Sequence, residues 1–145
     1  MKARYIILIA VTCLVILLGL AAVLFVFRTT RPDMNRLKTD FRIQAAELYQ
    51  DFESDEPAAL DRYSGKILEV TGVLETVEKD LGGNRILILL DPLFGVSCTI
   101  DSLQSAQHGE RLNSLRSGDT VTVKGRCDGM LTDVKMVGCI LKSGQ

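Results

Sequence analysis

Between Tyr5 and Phe27 the sequence contains no charged residue, and this run most limits what the chain can fold into. As an α-helix that rises about 1.5 Å per residue, the run would be roughly 34 Å long, enough to cross the hydrocarbon core of a bilayer. A stretch of this length is typical of a transmembrane helix rather than of a core helix. We therefore predict that Tyr5–Phe27 has the membrane as its partner, and that residues 1–32 form an anchor and its polar exit.

A cleaved signal peptide is the alternative for this segment. Its apolar region is normally only about 7 to 15 residues long and ends at small residues, which Gly19, Ala21 and Ala22 would mimic. Cleavage there would leave the apolar segment 23–27 at the new N-terminus, so an uncleaved anchor is favoured. Basic residues flank the run on both sides, and the positive-inside rule leaves its orientation open.

Charge separates this segment from the rest of the chain. Lys2, Arg4, Arg28 and Arg31 give residues 1–32 a formal charge of +4, so in a chain of net charge −1 the remaining residues carry −5. A basic surface is the electrostatic footprint of a protein that binds phosphate backbones, and an acidic domain repels them at long range. The composition therefore disfavours nucleic acid as a partner.

Residues 33–64 are predicted to be an amphipathic helical lead-in. Apolar residues recur there at steps of three and four, which is the period of one helical face: Leu37, Phe41, Ala45, Leu48 and Phe52. We expect this helix to cover the core of its own domain rather than to dock on a partner. A short second helix begins near Ser54–Pro57, which supplies a capping side chain, an acid and a proline, and ends at Gly65.

The remaining residues, 65–145, have a β pattern. A long strand from Lys66 to Val77, with a bend or bulge at Gly72, is followed by a hairpin loop at Asp80–Asn84 and a returning strand at Arg85–Leu90. The next strand alternates apolar with small or polar residues, and we expect its inner face to consist of Phe94, Val96, Cys98 and Ile100.

After this third strand the pattern predicts a helical stretch that breaks at Gly109. Its inward residues are expected to be Leu103, Ala106, Leu112 and Leu115. Two further strands end the domain, near 118–127 and 133–141. Three strands, a helix and two strands are the order of the OB-fold, a five-stranded Greek-key barrel. The predicted fold class is thus mainly β with helices, comprising the transmembrane helix, the lead-in and this barrel.

The region from about Glu47 to Leu141 also resembles the tRNA_anti-like family of bacterial OB-fold proteins. The resemblance lies in Tyr63–Val73, Gly95–Cys98 and Gly118–Gly129, followed by Asp133-Val134 and Cys139. It implies the fold and an envelope location, because members of the family are often secreted lipoproteins, but it implies no chemistry. This chain departs from the lipoprotein pattern because its predicted anchor is a helix and not a lipidated cysteine.

Three cysteines of the β region are disulfide candidates: Cys98, Cys127 and Cys139. They lack the short paired spacing of a zinc ribbon or of a C-x-x-C redox motif. In a simple hairpin that turns near Met130, Cys127 and Cys139 lie too far apart for a bridge, unless a bulge at Val137-Gly138 or pairing with Cys98 changes the geometry. A disulfide and three buried thiols remain alternatives, and a thiol-based redox role would need an exposed cysteine of low pKa.

No catalytic set and no cofactor site emerge from the sequence. The single histidine, His108, has no convergent ligands patterned around it and is expected at the surface. The periplasmic haem chaperone of cytochrome c maturation also joins one membrane helix to an OB-fold, but the tail 141–145 lacks its histidine and tyrosine. The chain is therefore expected not to be an enzyme.

The functional prediction is a non-enzymatic binding or assembly module of the bacterial envelope. The barrel is placed on the outer side of the cytoplasmic membrane, where it would bind a peptide, glycan or protein. The expected binding face is flanked by two loops, represented by Asp80, Gly82, Asn84, Asp128 and Thr132. The alternative is an oligonucleotide-binding OB-fold, but Phe94 is the one aromatic residue after Lys66 and is expected in the core, which leaves no ring on which a base can stack.

Overall fold

The computed structural model of the chain describes residues 2–29 and 33–144. The chain divides into two compact units, Met1–Asp33 and Met34–Gln145. The elements, in chain order, are α1 (Lys2–Thr29), β1 (Phe41–Gln44), α2 (Ala45–Ser54), α3 (Glu56–Tyr63), β2 (Ile67–Lys79), β3 (Arg85–Leu89), β4 (Val96–Ile100), α4 (Ser102–Gln107), α5 (Gly109–Ser114), β5 (Thr120–Met130) and β6 (Val134–Gly144).

The first unit is built on α1, a helix of 28 residues. Its apolar side chains between Ile9 and Phe25 are exposed. A search of the described part of the chain finds no helix both long and apolar enough to span a membrane. The predicted membrane crossing is therefore not confirmed.

The second unit is a closed barrel of five strands, β2 to β6. The sheet order is β1-β2-β3-β4-β6-β5, and an additional pairing of β5 with β2 closes it. Within the barrel β4 and β6 are parallel, and the other pairings are antiparallel. Two helices stand between the third and fourth barrel strands, so the predicted OB-fold order is confirmed.

The long strand β2 belongs to two parts of the barrel. Its first half pairs with β5 and its second half with β3, with a register shift between Leu74 and Thr76. Gly72 lies just before that shift, next to Ala45 at the start of α2. A Cβ atom on Gly72 would lie 2.7 Å from the Cβ of Ala45, so glycine is required for this contact. The predicted irregularity near Gly72 is thus found two residues further along.

The lead-in differs from the prediction at its start. Residues Phe41–Gln44 form β1 and not a helix, and they pair in parallel with β2 from Phe41↔Leu68 to Gln44↔Thr71. Without β1, one edge of the first half of β2 would have unpaired backbone groups, and satisfying them outweighs the helical period of the side chains. The helix α2 begins only at Ala45, and Leu48 and Phe52 are buried as expected.

The helices α4 and α5 also differ in part from the prediction. They break at His108-Gly109 as expected, but Leu103 and Ala106 are exposed, and the buried residues are Ser105 and Leu112. The Asp101 side chain caps α4 by accepting from the N–H of Gln104, and the Ser105 hydroxyl donates to the carbonyl of Ile100. These bonds fix a rotation of α4 that turns Leu103 outward.

Candidate binding site

The outer face of the β3–β4 hairpin forms the floor of the candidate site. Because Leu87 and Leu89 are buried in the core, the alternation along β3 puts Ile86 and Ile88 on the outer face. The pairing register places two rows of side chains across this face, Thr76–Ile88–Ser97 and Glu78–Ile86–Thr99. Lys135 of β6 lies beside Ser97. The floor is therefore built from branched apolar side chains and hydroxyls, with charges at its margins.

One end of the floor is closed by the loop between β2 and β3, residues 80–84. Asp80 accepts hydrogen bonds from the backbone N–H (2.9 Å) and from the side-chain amide (2.7 Å) of Asn84. The side-chain amide oxygen (Oδ1) of Asn84 in turn accepts from the N–H of Ser102, at 2.9 Å. The hydrogen bond from the Asn84 side chain is the main reason that the pKa of Asp80 is lowered. The loop is thus tied to the start of α4, and Leu81 at its tip is fully exposed.

Two segments meet at the opposite end of the floor, residues 90–95 and the turn at 131–133. They are joined where the N–H of Val134 donates to the carbonyl of Gly95, at 2.9 Å. In the first segment the Asp91 carboxylate accepts from the N–H groups of Leu93 (2.8 Å) and Phe94 (3.3 Å). These bonds occupy Asp91 and leave the side chains of Leu93 and Phe94 pointing away from the core.

Phe94 is the main departure from the sequence-based prediction of the site. The strand β4 begins at Val96, so Phe94 belongs to the preceding loop, and its side chain is 57% exposed. A Cβ atom on Gly95 would lie 2.2 Å from the carbonyl oxygen of Leu89, which shows how tightly the loop folds back before the strand starts. The prediction of Phe94 as a core residue is wrong, and its ring is available to a ligand.

The residues predicted for the binding loops lie at both ends of the floor. Asp80, Gly82 and Asn84 are in the loop beside α4, and their polar atoms are largely used within it. Asp128 belongs to β5 and Thr132 to the following turn, and both are exposed. The exposed apolar side chains that the sequence analysis missed stand next to them: Leu81, Leu93, Phe94 and Leu131. The Asp91-Pro92 turn was the signal that could have placed Leu93 and Phe94 in a loop.

The charges around this face are mixed. Lys135 stands 3.7 Å from Asp133, so its positive charge is partly balanced. Glu78, Asp80 and Asp91 add negative charge at the margins. A ligand on this face therefore gains more from contact with apolar and hydroxyl groups than from a concentrated positive field.

The cysteines in the described residues are free thiols, and those of the barrel are buried. Cys127 faces Met136 in the β5–β6 register. Burial raises the pKa of Cys127, and burial together with the contact to Cys98 raises that of Cys139 well above its usual value. Groups of this kind are poor nucleophiles, which is opposite to what a thiol-based redox site requires.

His108 lies at the junction of α4 and α5 and is exposed. It lines an open depression of about 420 Å³ with its neighbours in residues 106–111. Among the described residues no group of histidine, cysteine and acidic side chains converges so as to hold a metal ion.

A family model, that of the tRNA_anti-like proteins, matches residues 1–141. The chain belongs to the tRNA_anti-like family. No curated protein matches it in sequence.

Solved structures similar to this tRNA_anti-like protein include one from Klebsiella pneumoniae, named a "putative nucleic acid-binding lipoprotein". The identity is 20%, the TM-score is 0.55, and the match covers 70% of this chain and 91% of that one. The S. pombe Stn1–Ten1 complex is matched at 16% identity and a TM-score of 0.41, over 55% of this chain and 56% of that one. At 20% identity the likeness to the Klebsiella pneumoniae structure concerns the fold alone.

The comparison corrects the prediction that nucleic acid is disfavoured as a partner of this tRNA_anti-like protein. The neighbour that shares the barrel over most of its length carries a nucleic-acid-binding name. The prediction rested on the acidic charge of the domain and on a buried Phe94. The second premise is wrong, because the ring is exposed at the edge of the candidate face.

Proposed function

We propose that this tRNA_anti-like protein is a non-enzymatic binding protein of the bacterial envelope. In this proposal α1 anchors the chain in the cytoplasmic membrane, and the barrel works on the outer side. The ligand lies across the outer face of β3 and β4, between the loop 80–84 and the paired segments 90–95 and 131–133. It contacts Ile86 and Ile88 in the middle of the face and the apolar loop residues at its ends.

The proposal rests on the positions of the large apolar side chains that are exposed in the barrel unit. Among the described residues of that unit there are six: Val73, Leu81, Leu93, Phe94, Leu103 and Leu131. Four of them lie in the three segments that flank the face. Exposing such groups in water is unfavourable, and their concentration at one face is typical of an interaction site.

The size of the face suits a short extended ligand. Along β3, from Arg85 to Leu89, the floor is about 14 Å long at roughly 3.4 Å per residue. Thr76 and Thr99, which are half-buried, offer hydroxyls that both donate and accept hydrogen bonds, whereas Ser97 between them is buried. Such a floor supplies polar contacts in the middle, and the loops supply apolar contacts at the ends.

Site-specific photocrosslinking in cells tests the binding face. A photoreactive phenylalanine analogue at position 94 or 131 should crosslink the full-length protein to its ligand, whereas the same analogue at Asp61 on α3 should not. Sensitivity of the product to nuclease or to protease then identifies the ligand class. Equal crosslinking at positions 61 and 94, or none at 94 and 131, would overturn the proposed face.

The anchor is supported by the composition and exposure of α1. Its apolar side chains between Ile9 and Phe25 are exposed along the helix, and burying them in lipid would be favourable by roughly 25 cal/mol per Å². The full-length protein should stay in the membrane fraction after extraction with alkaline carbonate, and a protease added outside the cytoplasm should reach the barrel unit. Release by carbonate, or protection from the protease, would contradict this part of the proposal.

Single-stranded nucleic acid is a second candidate ligand, favoured by the exposed ring of Phe94. A base stacked on an aromatic side chain contributes about 1 to 3 kcal/mol, with little dependence on sequence. The mixed charge of the face predicts binding that depends mainly on stacking and falls only weakly with added salt.

Fluorescence anisotropy with labelled oligo(dT) and oligo(U) tests this candidate on the full-length protein in detergent. Phe94→Ala should weaken binding at least tenfold, and Phe94→Tyr, which keeps a ring, should retain it. Asp61→Ala on α3 serves as a control outside the floor and the three segments that flank it. Absence of binding at low salt, or equal binding by the alanine and tyrosine variants, would exclude stacking on Phe94.

A further inference from the structure

Residues 34–40, which precede β1 and are termed the strap, are attached to the barrel at both ends. Met34 at the start is 8% exposed. Its terminal methyl group lies over β6, 3.7 Å from where a Cβ atom on Gly138 would stand. At the other end, the N–H of Asp40 donates to the Ile67 carbonyl at 2.8 Å, and the Asp40 carboxylate accepts from the N–H of Ile67 at 2.9 Å. The strap thus contacts two different barrel strands, β6 and β2.

The middle of the strap is held by Lys124 of β5. Its ammonium group donates a hydrogen bond to the Leu37 carbonyl, and the residue is only 5% exposed. Alternation along β5 puts Lys124 on the outer face of the barrel, because the neighbouring Val123 belongs to the core. Ile140, the register partner of Lys124 on β6, is buried beside it. Lys124 therefore reaches the strap from the outer face of the barrel.

A lysine is a costly residue for this position, because burying a charge is unfavourable unless the charge is paired. An ammonium group has three N–H donors, and within residues 2–29 and 33–144 the Leu37 carbonyl is the one hydrogen-bond partner of Lys124. The register places Glu69 next to Lys124, and Arg42 lies 3.6 Å from the Glu69 carboxylate. The sign of the charge thus alternates across β1, β2 and β5, which offsets part of the cost.

The chemistry of this contact allows it to open. When the strap moves away, Lys124 loses one hydrogen bond, but its ammonium group gains access to water. Water is a good partner for an ammonium group, so opening leaves no unpaired charge in an apolar environment. A purely apolar contact would instead expose its whole surface to water on opening.

We propose that the strap is a conformational device that limits how far the barrel can reach from α1. The helix α1 ends at Thr29, so with the strap in place residues 30–33 are the connection to Met34. A segment of four residues spans at most roughly 14 Å when fully extended. Release of the strap as far as Asp40 adds seven residues, which is about 25 Å of further reach.

The consequence for the ligand rests on the proposed function, in which α1 is held in the membrane. With the strap in place the barrel stays close to the membrane surface, and with the strap released it reaches ligands further out in the envelope. The attachment of the strap itself depends on contacts within the barrel unit and is independent of the membrane and of the ligand.

Limited digestion of the full-length protein with trypsin, in detergent, tests the attachment. The strap contains trypsin sites after Arg36 and Lys38, both exposed, and an attached segment resists cleavage because a protease needs a locally opened chain. Lys124→Ala should raise the rate of cleavage at these two sites at least about tenfold. Met34→Asp, which changes the strap and not the barrel, should do the same. Lys142→Ala, at an exposed position of β6, is the matched control and should leave the rate unchanged.

Distances between spin labels test the limit on reach. One label is attached to Cys13 of α1 and the other to the exposed turn before β5 through Ser117→Cys, while the buried thiols of the barrel are protected from the reagent. The longest distances should increase by up to about 25 Å in Lys124→Ala and Met34→Asp.

The two readouts decide separate parts of the proposal. Rapid cleavage of the wild-type strap, or unchanged cleavage in both variants, would overturn the attachment. Faster cleavage with unchanged distances would overturn the limit on reach. Met34→Asp decides the question if Lys124→Ala fails to fold. Release of the protein by alkaline carbonate would contradict the membrane anchor and leave both readouts unaffected.

Discussion

The Tyr63 hydroxyl donates a 2.6 Å hydrogen bond to the Asp51 carboxylate and so ties the end of α3 to α2. The Arg62 guanidinium lies 3.9 Å from the same carboxylate and stands over the rings of Tyr63 and Phe41. The two rings meet edge to face, with centroids 5.3 Å apart. Burial, aided by the bond to Asp51, raises the pKa of Tyr63 to about 12.

This bond predicts a pH dependence of stability. The folded state holds the proton of Tyr63 to a higher pH than the unfolded chain, whose tyrosine has a pKa of 10.0. The stabilisation is therefore complete below pH 10 and is lost as the pH rises to about 12. Tyr63→Phe should cost about 1 kcal/mol at neutral pH, and its deficit should shrink at alkaline pH. Urea unfolding of both proteins checks this, and a deficit that stays constant with pH would refute it.

Gly72 predicts a steric effect on stability. In Gly72→Ala the new methyl group would meet the Cβ of Ala45 at 2.7 Å, so α2 must move away from β2, at a cost of about 1 to 3 kcal/mol. Gly109→Ala is a matched control, because a Cβ there has no neighbour within 4 Å. Equal midpoints of thermal unfolding for the two variants would show that α2 does not press on Gly72.

The hydrogen bonds within the loop 80–84 make the pKa of Asp80 a measurable test of the loop structure. Asn84→Ala removes the side-chain hydrogen bond that chiefly lowers the pKa of Asp80, so this pKa should rise towards the ordinary aspartate value of 3.8. Carboxyl chemical shifts followed by NMR against pH provide the measurement. Asn113→Ala, which removes a partner of Arg85, should leave Asp80 unchanged. An unchanged pKa in Asn84→Ala would mean that the backbone bonds alone hold the carboxylate.

The exposed loop residues should matter for binding and little for folding. Phe94→Ser combined with Leu131→Ser should change the free energy of unfolding by no more than about 0.5 kcal/mol. Leu87→Ala, in the core of the same barrel, should cost about 2 to 5 kcal/mol. Chemical denaturation compares the two. A loss above about 2 kcal/mol in the loop variant would show that these side chains support the fold.

The barrel was predictable because its signals are local and repeated. Alternation along β4 gave Val96, Cys98 and Ile100 as core residues, and the glycines of the segment 80–84 marked a hairpin. The positions at which the prediction was wrong are those whose conformation depends on tertiary contacts. Phe41 fits the period of a helical face, yet it lies in a strand because its backbone pairs with the edge of β2. Leu103 is exposed because the Asp101 cap sets the rotation of α4.

The candidate site was only partly predictable for a related reason. Glycine, asparagine and aspartate residues indicate where the loops are. They do not indicate which loop side chains stay free of partners within the protein. Asp80 and Asn84 are engaged with each other, whereas Leu81 and Phe94 are exposed. The strand starts at Val96, two residues later than predicted, and this difference places Phe94 in a loop. A boundary of that precision depends on how the chain folds back at Gly95.

The parallel strand β1 covers an edge of the barrel strand β2. A protein that began at Gly65 would leave the backbone of Leu68–Thr71 without the partner that Phe41–Gln44 provides, and its core without the residues of α2. A bare edge of this kind invites pairing with another chain, and so aggregation or strand exchange. In the folded protein, residues 41–63 thus guard the strand that follows them against pairing with another chain.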